Sequence, residues 1–111
     1  MFSRAQRLNS KGAQFVIKRG HSLNGGALRL KWAPARAAPS RATVVVGLTV
    51  SKRATARNRL KRQLREALRP LLPILQSPAV LMVFANKNAV GRSFTELQAE
   101  LTALLKRARL F

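Results

Sequence analysis

Arginine and lysine are concentrated in one stretch of the chain, residues 51–69, which carries eight of them and a single carboxylate. Apolar residues recur within it at the three- and four-residue spacing of one face of an α-helix. The face to bury carries Leu60, Leu64, Ala67 and Leu68. A stripe on the other side, flanked by Arg59 and Lys61, carries Asn58, Arg62, Arg65 and Arg69. Cationic groups arranged in this way can pair with the phosphates of a polyanion.

The basic stripe has two interpretations, a solvated helix surface and a binding site for a polyanion. Glu66 is the only acid on the helix, so almost nothing on the helix itself relieves the repulsion between its cations. Like charges at this density are unfavourable unless an anion neutralises them. The pattern therefore favours a polyanion partner.

The composition of the whole chain agrees with this interpretation. Its 111 residues, 47% of them hydrophobic, suffice for one domain with one core. The chain has 22 basic residues against three Glu, for a formal charge of +19, which is typical of nucleic-acid binders. It has no Cys for a disulfide or a thiolate metal site, which fits a reducing cytoplasm. No apolar segment is long enough to span a bilayer, so no membrane partner is expected.

Residues suited to acid–base or metal chemistry are scarce. Such chemistry draws mostly on His, Asp, Glu and Cys, and the chain offers one His and three Glu. His21 lies among Gly, Ser and Asn residues and is expected to be an exposed loop residue or an RNA contact. Glu96 and Glu100 lie one helical turn apart, and both are expected at the surface. No catalytic residue and no metal ligand are therefore predicted, and any enzymatic chemistry would come from a partner.

A short helix is predicted over residues 10–19, with Ser10 as the candidate N-cap and Gly20 as its stop. Phe15 on this helix has two interpretations, core packing and an aromatic platform for a ligand, and core packing is favoured. A turn is predicted over residues 20–26.

A strand with alternating character is predicted over residues 27–32. Its apolar face ends in Trp32, which is expected to pack in the core rather than to stack on a base. Its other face is cationic and carries Arg29 and Lys31. An alternative is that this first strand region forms two strands.

The rest of the chain predicts two more strands and a last helix around the basic helix. A β-branched run over residues 43–50 predicts a central strand, and the apolar run 79–85 predicts a strand that is buried on both faces. Pro70, which lacks an N–H, should end the basic helix. Ser93 and Glu96 match the capping box that opens a helix.

The predicted order is α-β-β-(β)-α-β-α, which is typical of a small α+β or α/β domain with helices over a sheet. This single RNA-binding domain is expected to span residues 1–111. Residues 1–9 are interpreted as a basic N-terminal arm rather than a presequence. Residues 33–42, with two Pro and several Ala, are interpreted as a flexible loop.

Two coupled motifs make the sequence resemble the protein component of bacterial ribonuclease P. The first is a Gly-containing strand that ends in a basic turn, residues 46–53, Val-Gly-Leu-Thr-Val-Ser-Lys-Arg. The second is the Arg-Asn-Arg signature inside the basic helix, residues 57–62, Arg-Asn-Arg-Leu-Lys-Arg. The resemblance runs along nearly the whole chain. It departs from the family in a shorter link between the two motifs and in Lys31, where the family often has an aromatic residue.

The resemblance implies a fold like the second domain of ribosomal protein S5, with a left-handed βαβ crossover. It implies that the basic helix and the turn before it bind the catalytic RNA subunit through Lys52, Arg53, Arg57, Asn58, Arg59, Lys61, Arg62, Arg65 and Arg69. It also implies that the cleft between the first helix and the sheet binds the 5′ leader of precursor tRNA through Phe15, Arg29, Lys31 and Ser51.

The function that the resemblance implies is assistance to a catalytic RNA. The RNA subunit would cleave the phosphodiester with Mg²⁺ that it mainly holds itself, while the protein binds and positions. The expected partners are this RNA subunit and precursor tRNA, with no further protein required, and the expected location is the cytoplasm. Two alternatives stay open. One is a ribosomal or other structural RNA-binding protein without a processing role, and the other is a DNA-compacting or membrane-active basic protein.

Overall fold

Within residues 6–111, which the computed structural model describes, the chain forms three α-helices and four strands. The helices are α1 (Ser10–Arg19), α2 (Ala54–Leu68) and α3 (Phe94–Arg107). The strands are β1 (His21–Asn24), β2 (Leu28–Pro34), β3 (Arg41–Val45) and β4 (Ala79–Ala85). Single turns of 3₁₀ helix, Leu72–Ile74 and Lys87–Ala89, lie on either side of β4 in the chain. The order confirms the predicted α+β class. The additional strand that the prediction left open is β1, which lies before the predicted strand over residues 27–32 and not within it.

The strands form one mixed sheet in the order β1-β2-β4-β3. β2 pairs antiparallel with both β1 and β4, whereas β3 pairs parallel with β4. The segment from β3 through α2 to β4 is therefore a βαβ unit, as expected. The left-handed sense of its crossover stays a prediction.

The prediction of a central strand over residues 43–50 is wrong in position and in length. Among the four strands β3 pairs only with β4, so it is an edge strand of the sheet, and it ends at Val45. The chain then turns, and the Val50 N–H donates to the Gly47 carbonyl at 3.1 Å. A β-branched run favours a strand but does not say how many neighbours that strand has.

The predicted turn over residues 20–26 is also shorter in the structure, because most of this segment forms β1. Leu23 of β1 lies opposite Leu30 of β2 and packs against the core, which explains why the segment joins the sheet. His21 is exposed as predicted, but on a strand, with its ring 5.3 Å from that of Trp32. The turn itself closes where the Gly25 N–H donates to the Leu28 carbonyl at 2.7 Å.

The sheet separates two layers of helices. On one face, α1 packs through Val16 against Ala33 of β2 and Met82 of β4. On the other face, α2 and α3 enclose the larger core with the alternate residues of the same strands, such as Leu30 and Leu81. β2 and β4 are thus the central strands, and β4 carries buried residues on both faces, as predicted for residues 79–85.

The ends of α1 follow its local sequence. The predicted N-cap, Ser10, is wrong by one residue, because the side chain of Asn9 accepts the hydrogen bond from the Gly12 N–H at 2.8 Å. Asn and Ser are both good N-caps, so the choice between neighbours depends on where the helix starts. Gly20 ends the helix as predicted, and its N–H donates to Val16.

The predicted boundaries of the later helices are confirmed. α2 ends at Leu68, two residues before Pro70. At the start of α3, the Ser93 hydroxyl accepts from the Glu96 N–H and the Glu96 carboxylate accepts from the Ser93 N–H, both at 3.1 Å. This capping box fixes the start of α3 at the end of the loop that follows β4.

The expectation that Glu100 lies at the surface is wrong. Its carboxylate accepts hydrogen bonds from the backbone N–H groups of Ala27 at 3.0 Å and Leu28 at 2.6 Å, and so ties α3 to the start of β2. A Cβ atom at Gly25 would lie 2.7 Å from Glu100 Oε2, so a larger residue there would displace the carboxylate. The spacing of Glu96 and Glu100 along a helix does not predict that the β1–β2 turn packs against Glu100.

The predicted basic arm, residues 1–9, falls partly outside the described residues, which begin at 6. Arg7 forms a bridge with Ala42 of β3, and the Leu8 N–H donates to the Ala42 carbonyl at 3.1 Å. The described end of the arm therefore lies beside the edge strand β3.

The predicted loop over residues 33–42 is confined to residues 35–40, because β2 continues to Pro34 and β3 begins at Arg41. Ser40 is buried, and its hydroxyl accepts from the Ala79 N–H at 3.0 Å. The flexibility of this loop stays a prediction.

Candidate nucleic-acid interface

The faces of α2 divide as its sequence pattern predicts. The core side is at most 4% exposed and consists of Leu60, Leu64, Ala67 and Leu68. The exposed members of the basic face are Asn58, Arg59, Arg62 and Arg69, and the partly buried ones are Lys61 and Arg65. The leucines of α2 therefore pack in the core, and its polar and cationic side chains face the solvent.

The turn before α2 is built around Ser51. Its hydroxyl accepts from the Arg53 N–H at 3.2 Å, and its carbonyl accepts from Arg57 Nη1 at 2.9 Å. Arg57 is partly buried, so part of its guanidinium holds the turn together. Lys52 and Arg53 are exposed, and no side chain caps the first turn of the helix, which also contains no acid.

A second cationic surface lies on the α1 face of the sheet. Lys31 of β2 lies opposite Met82 of β4, which packs with Val16 of α1, and Arg29 follows on the same face opposite Phe84. The Arg29 guanidinium lies over the Phe84 ring, with Cζ 4.9 Å from the ring centroid. This cation–π contact holds the cation against the sheet. Arg29 is exposed, whereas Lys31 is partly buried.

Phe15 does not pack in the core, so the favoured interpretation of this residue is wrong. Its side chain is 50% exposed, and the neighbouring Val16 takes the core position of α1 instead. Val16 is the buried residue of α1, and Phe15 lies about 100° away from it around the helix, outside the contact with the sheet. Trp32 is partly buried and packs against the larger core, in agreement with its prediction.

Ser51 and Phe84 each add to the description of the surface beside α1. Ser51, grouped with Arg29 and Lys31 by resemblance, has its described hydrogen bonds to the turn before α2, and its contact with the leader stays a prediction. Phe84, which the sequence prediction leaves out, joins the surface through its contact with Arg29. The alternation of charge along β2 identifies Arg29, but only the pairing of β2 with β4 brings Phe84 beside it.

The carboxylates all hold contacts within the fold. Glu66 pairs with Arg69 at 3.1 Å, Glu96 closes the capping box, and Glu100 holds the start of β2. The backbone N–H and the hydroxyl of Ser93 lower the pKa of Glu96. Within residues 6–111, no three His, Asp or Glu side chains lie close enough to share a metal ion. The same residues form no helix with the length and apolar character needed to cross a membrane.

The fold and its two cationic surfaces define a small α+β domain of the nucleic-acid-binding class. The family model described as Ribonuclease P matches residues 2–109. The chain belongs to this family, the protein component of ribonuclease P, as the resemblance predicts. This component is a subunit of an RNA-based endoribonuclease that matures the 5′ end of tRNA, and its partners are the RNA subunit and precursor tRNA. Family membership decides against the ribosomal and DNA-compacting alternatives.

Curated relatives and solved structures agree with the family. The chain is 38% identical to the ribonuclease P protein component of a Synechococcus strain, over 99% of this chain and 86% of the relative. It is 40% identical to that of Chloroflexus aurantiacus, over 96% of this chain and 80% of the relative. The RNase P protein from Thermotoga maritima superposes with a TM-score of 0.80 at 26% identity, covering 91% of this chain and 96% of that one. The Staphylococcus aureus protein, 23% identical, shares the fold with a TM-score of 0.83 over 97% of this chain and 99% of that one.

Proposed function

We propose that the two cationic surfaces have separate tasks in the ribonucleoprotein: the basic face of α2 binds the RNA subunit, and the surface beside α1 binds the 5′ leader of precursor tRNA. The observation that carries this proposal is their separation by the sheet. α2 packs on one face of β2 and β4, whereas Arg29 and Lys31 lie on the other face with α1. One domain can therefore contact two RNAs at the same time.

The α2 surface is suited to folded RNA because its cations are presented on a rigid helix. Arginine pairs bidentately with phosphate, and such contacts fix position without reading sequence. The set comprises Lys52, Arg53, Arg57, Asn58, Arg59, Lys61, Arg62, Arg65 and Arg69. In this set, the guanidinium groups of Arg57 and Arg69 already hold contacts inside the protein. The other exposed arginines, Arg53, Arg59 and Arg62, are therefore best placed to contribute most.

The surface beside α1 is suited to a single strand. Arg29 and Lys31 supply charge for the backbone, and the half-exposed ring of Phe15 supplies an aromatic face on which a base can stack. Phe84 adds a second ring beneath Arg29 and gives that cation a fixed place. We assign Ser51 a lesser part, through its position at the turn that leads into α2.

The protein contributes binding and positioning, and the phosphodiester chemistry belongs to the RNA subunit. Mg²⁺ prefers several hard oxygen ligands, whereas each carboxylate of this chain already serves a contact within the fold. We therefore place Mg²⁺ mainly on RNA phosphates, where it would activate the attacking water. The cytoplasm is the proposed location, in keeping with a chain that has no Cys.

Paired variants test the separation of tasks. Arg62→Ala with Arg65→Ala should weaken binding of the RNA subunit, by ~1–3 kcal/mol for each strong charge-assisted hydrogen bond that the substitutions remove. Arg29→Ala with Lys31→Ala should leave assembly nearly intact and weaken binding of precursor tRNA only when a 5′ leader is present. The measurement is the affinity of the holoenzyme for precursor and mature tRNA, beside the affinity of the protein for the RNA subunit.

A matched control removes two exposed cations that lie outside both surfaces, Arg36→Ala with Lys106→Ala, and should change neither affinity much. Thermal denaturation of each variant checks folding, because Arg65 and Lys31 are partly buried. Loss of RNA-subunit binding by the β2 variant, with leader discrimination intact, would contradict the assignment of the surfaces.

A further inference from the structure

A groove of about 440 Å³ lies between the first turns of α2 and the loop over residues 86–92 that precedes α3. Its volume falls within the ~300–1,000 Å³ range of ligand clefts. Arg53, just before α2, and Arg59 of α2 line it on one side, and Arg92 lines it from the loop. None of the residues that line the groove, all within the described part of the chain, is acidic. Three arginines therefore line one groove that has no carboxylate in its lining.

The lining of this groove is apolar between the arginines. Leu60 and Ala89 are 4% and 1% exposed, whereas Val90 is 48% exposed. A β-branched side chain left half in water beside a cationic rim provides apolar surface for a ligand to cover. A bare anion would use the arginines and leave this apolar surface in water.

The loop that presents Val90 and Arg92 is fixed by its own hydrogen bonds. The Arg92 N–H donates to the Ala89 carbonyl at 3.2 Å, and Arg92 Nε donates to the Asn88 carbonyl at 3.1 Å. The Asn88 amide in turn donates to the Gly26 carbonyl at 3.2 Å, which ties the loop to the β1–β2 turn. Gly91 has φ of 82°, a conformation that favours glycine, between the two lining residues. The wall of the groove is thus formed before any ligand arrives.

We propose that this groove binds one unpaired nucleotide of the RNA subunit, with its base on the apolar surface and the adjoining phosphates on the arginines. The proposal rests on the assignment of α2 to the RNA subunit. A duplex keeps its bases stacked, whereas the bases of loops and bulges can be splayed out into a protein pocket. Gln63, which also lines the groove, supplies an amide that can donate to and accept from a base edge. The groove would then recognise unpaired RNA in addition to charge.

The test is nuclear magnetic resonance of the full-length ¹⁵N-labelled protein with two small probes, adenosine 5′-monophosphate and ribose 5-phosphate. We expect the nucleotide to shift the amide signals of residues 55–63 and 89–92 and to bind more tightly than the base-free sugar phosphate. Equal shifts with both probes would show a site for an anion only and overturn the proposal. Shifts confined to the surface beside α1 would overturn it as well.

Three variants test the roles of the arginine and of the apolar surface separately. Arg92→Ala should weaken nucleotide binding about tenfold or more, the effect of removing one charge-assisted hydrogen bond. Val90→Ser should abolish the preference for the nucleotide while ribose 5-phosphate binding remains. Lys87→Ala removes an exposed cation of the same loop that does not line the groove. It should change neither nucleotide binding nor the preference for the nucleotide over ribose 5-phosphate.

The same variants in the holoenzyme separate this proposal from the one on which it rests. Val90→Ser should weaken binding of the RNA subunit, and Lys87→Ala should not. If Val90→Ser binds the RNA subunit like the wild type while Arg62→Ala with Arg65→Ala binds it weakly, the groove proposal fails and the assignment of α2 stands. If none of these variants affects RNA-subunit binding, both proposals fail.

Discussion

At the scale of single residues, Glu100 shows how a carboxylate can set the position of a strand. It accepts the N–H groups of Ala27 and Leu28, two residues that are at most 1% exposed. Glu100→Ala would leave both donors without this acceptor, at a cost of ~1–3 kcal/mol for each orphaned group. We expect a corresponding fall in the free energy of unfolding, measured with urea. Since β2 carries Arg29 immediately after these residues, binding of leader-bearing tRNA should weaken as well.

Lys106→Ala is the control for this prediction, because it removes a long charged side chain that is exposed on the same helix. It should leave the urea midpoint nearly unchanged. A Glu100→Ala protein as stable as the wild type would mean that water replaces the carboxylate at no cost, and that Glu100 does not hold the turn.

At the scale of elements, the capping box makes the stability of α3 depend on pH. Ser93 lowers the pKa of Glu96, so the ionised carboxylate stabilises the folded state. This stabilisation is fully present above the ordinary pKa of a glutamate and is lost as the pH falls through the lower folded-state pKa. Glu96→Gln keeps an acceptor for the Ser93 N–H but has no charge to titrate.

The free energies of unfolding of the wild type and Glu96→Gln, measured by denaturation from neutral pH down to about pH 2, should therefore converge at the acid end. Thr95→Ala, an exposed neighbour without a titratable group, should differ from the wild type by the same amount at every pH. A constant difference for Glu96→Gln would show that the carboxylate does not support the cap in its ionised form.

Elements were predictable from the sequence wherever the signal is local. The spacing of leucines located α2, the Ser93 and Glu96 pair located the start of α3, and the apolar run located β4. The edge position of β3 and the location of β1 within the predicted turn over residues 20–26 were not predictable, because both depend on which strand lies alongside. The same dependence on distant segments limits how much of the candidate site the sequence predicts. The basic face of α2 follows from one helix, whereas the Arg29–Phe84 contact and the groove at Arg92 join segments that are distant in sequence.

At the scale of the whole molecule, a chain with a formal charge of +19 presents the cations of α2 and β2 on two surfaces rather than one. α2 and β2 present cations on opposite sides of the sheet, and the groove adds Arg92 to the α2 side. The acids are too few to neutralise these surfaces, so binding of RNA must release many counterions. Affinity for RNA should therefore depend steeply on salt.

We expect the affinity of the protein for the RNA subunit to fall with a slope of log K against log[salt] of roughly −4 to −7, from about five to eight phosphate contacts at ~0.7–0.9 each. Fluorescence anisotropy across a monovalent salt series at fixed Mg²⁺ gives this slope. Arg62→Ala with Arg65→Ala should reduce its magnitude by ~1.4–1.8, since this variant can no longer neutralise two of the phosphates. Arg29→Ala with Lys31→Ala should leave it unchanged, because we assign that surface to the leader and not to the RNA subunit. A wild-type slope near zero would mean that the basic face of α2 does not meet phosphate, and equal changes in the two variants would mean that both surfaces bind the same RNA.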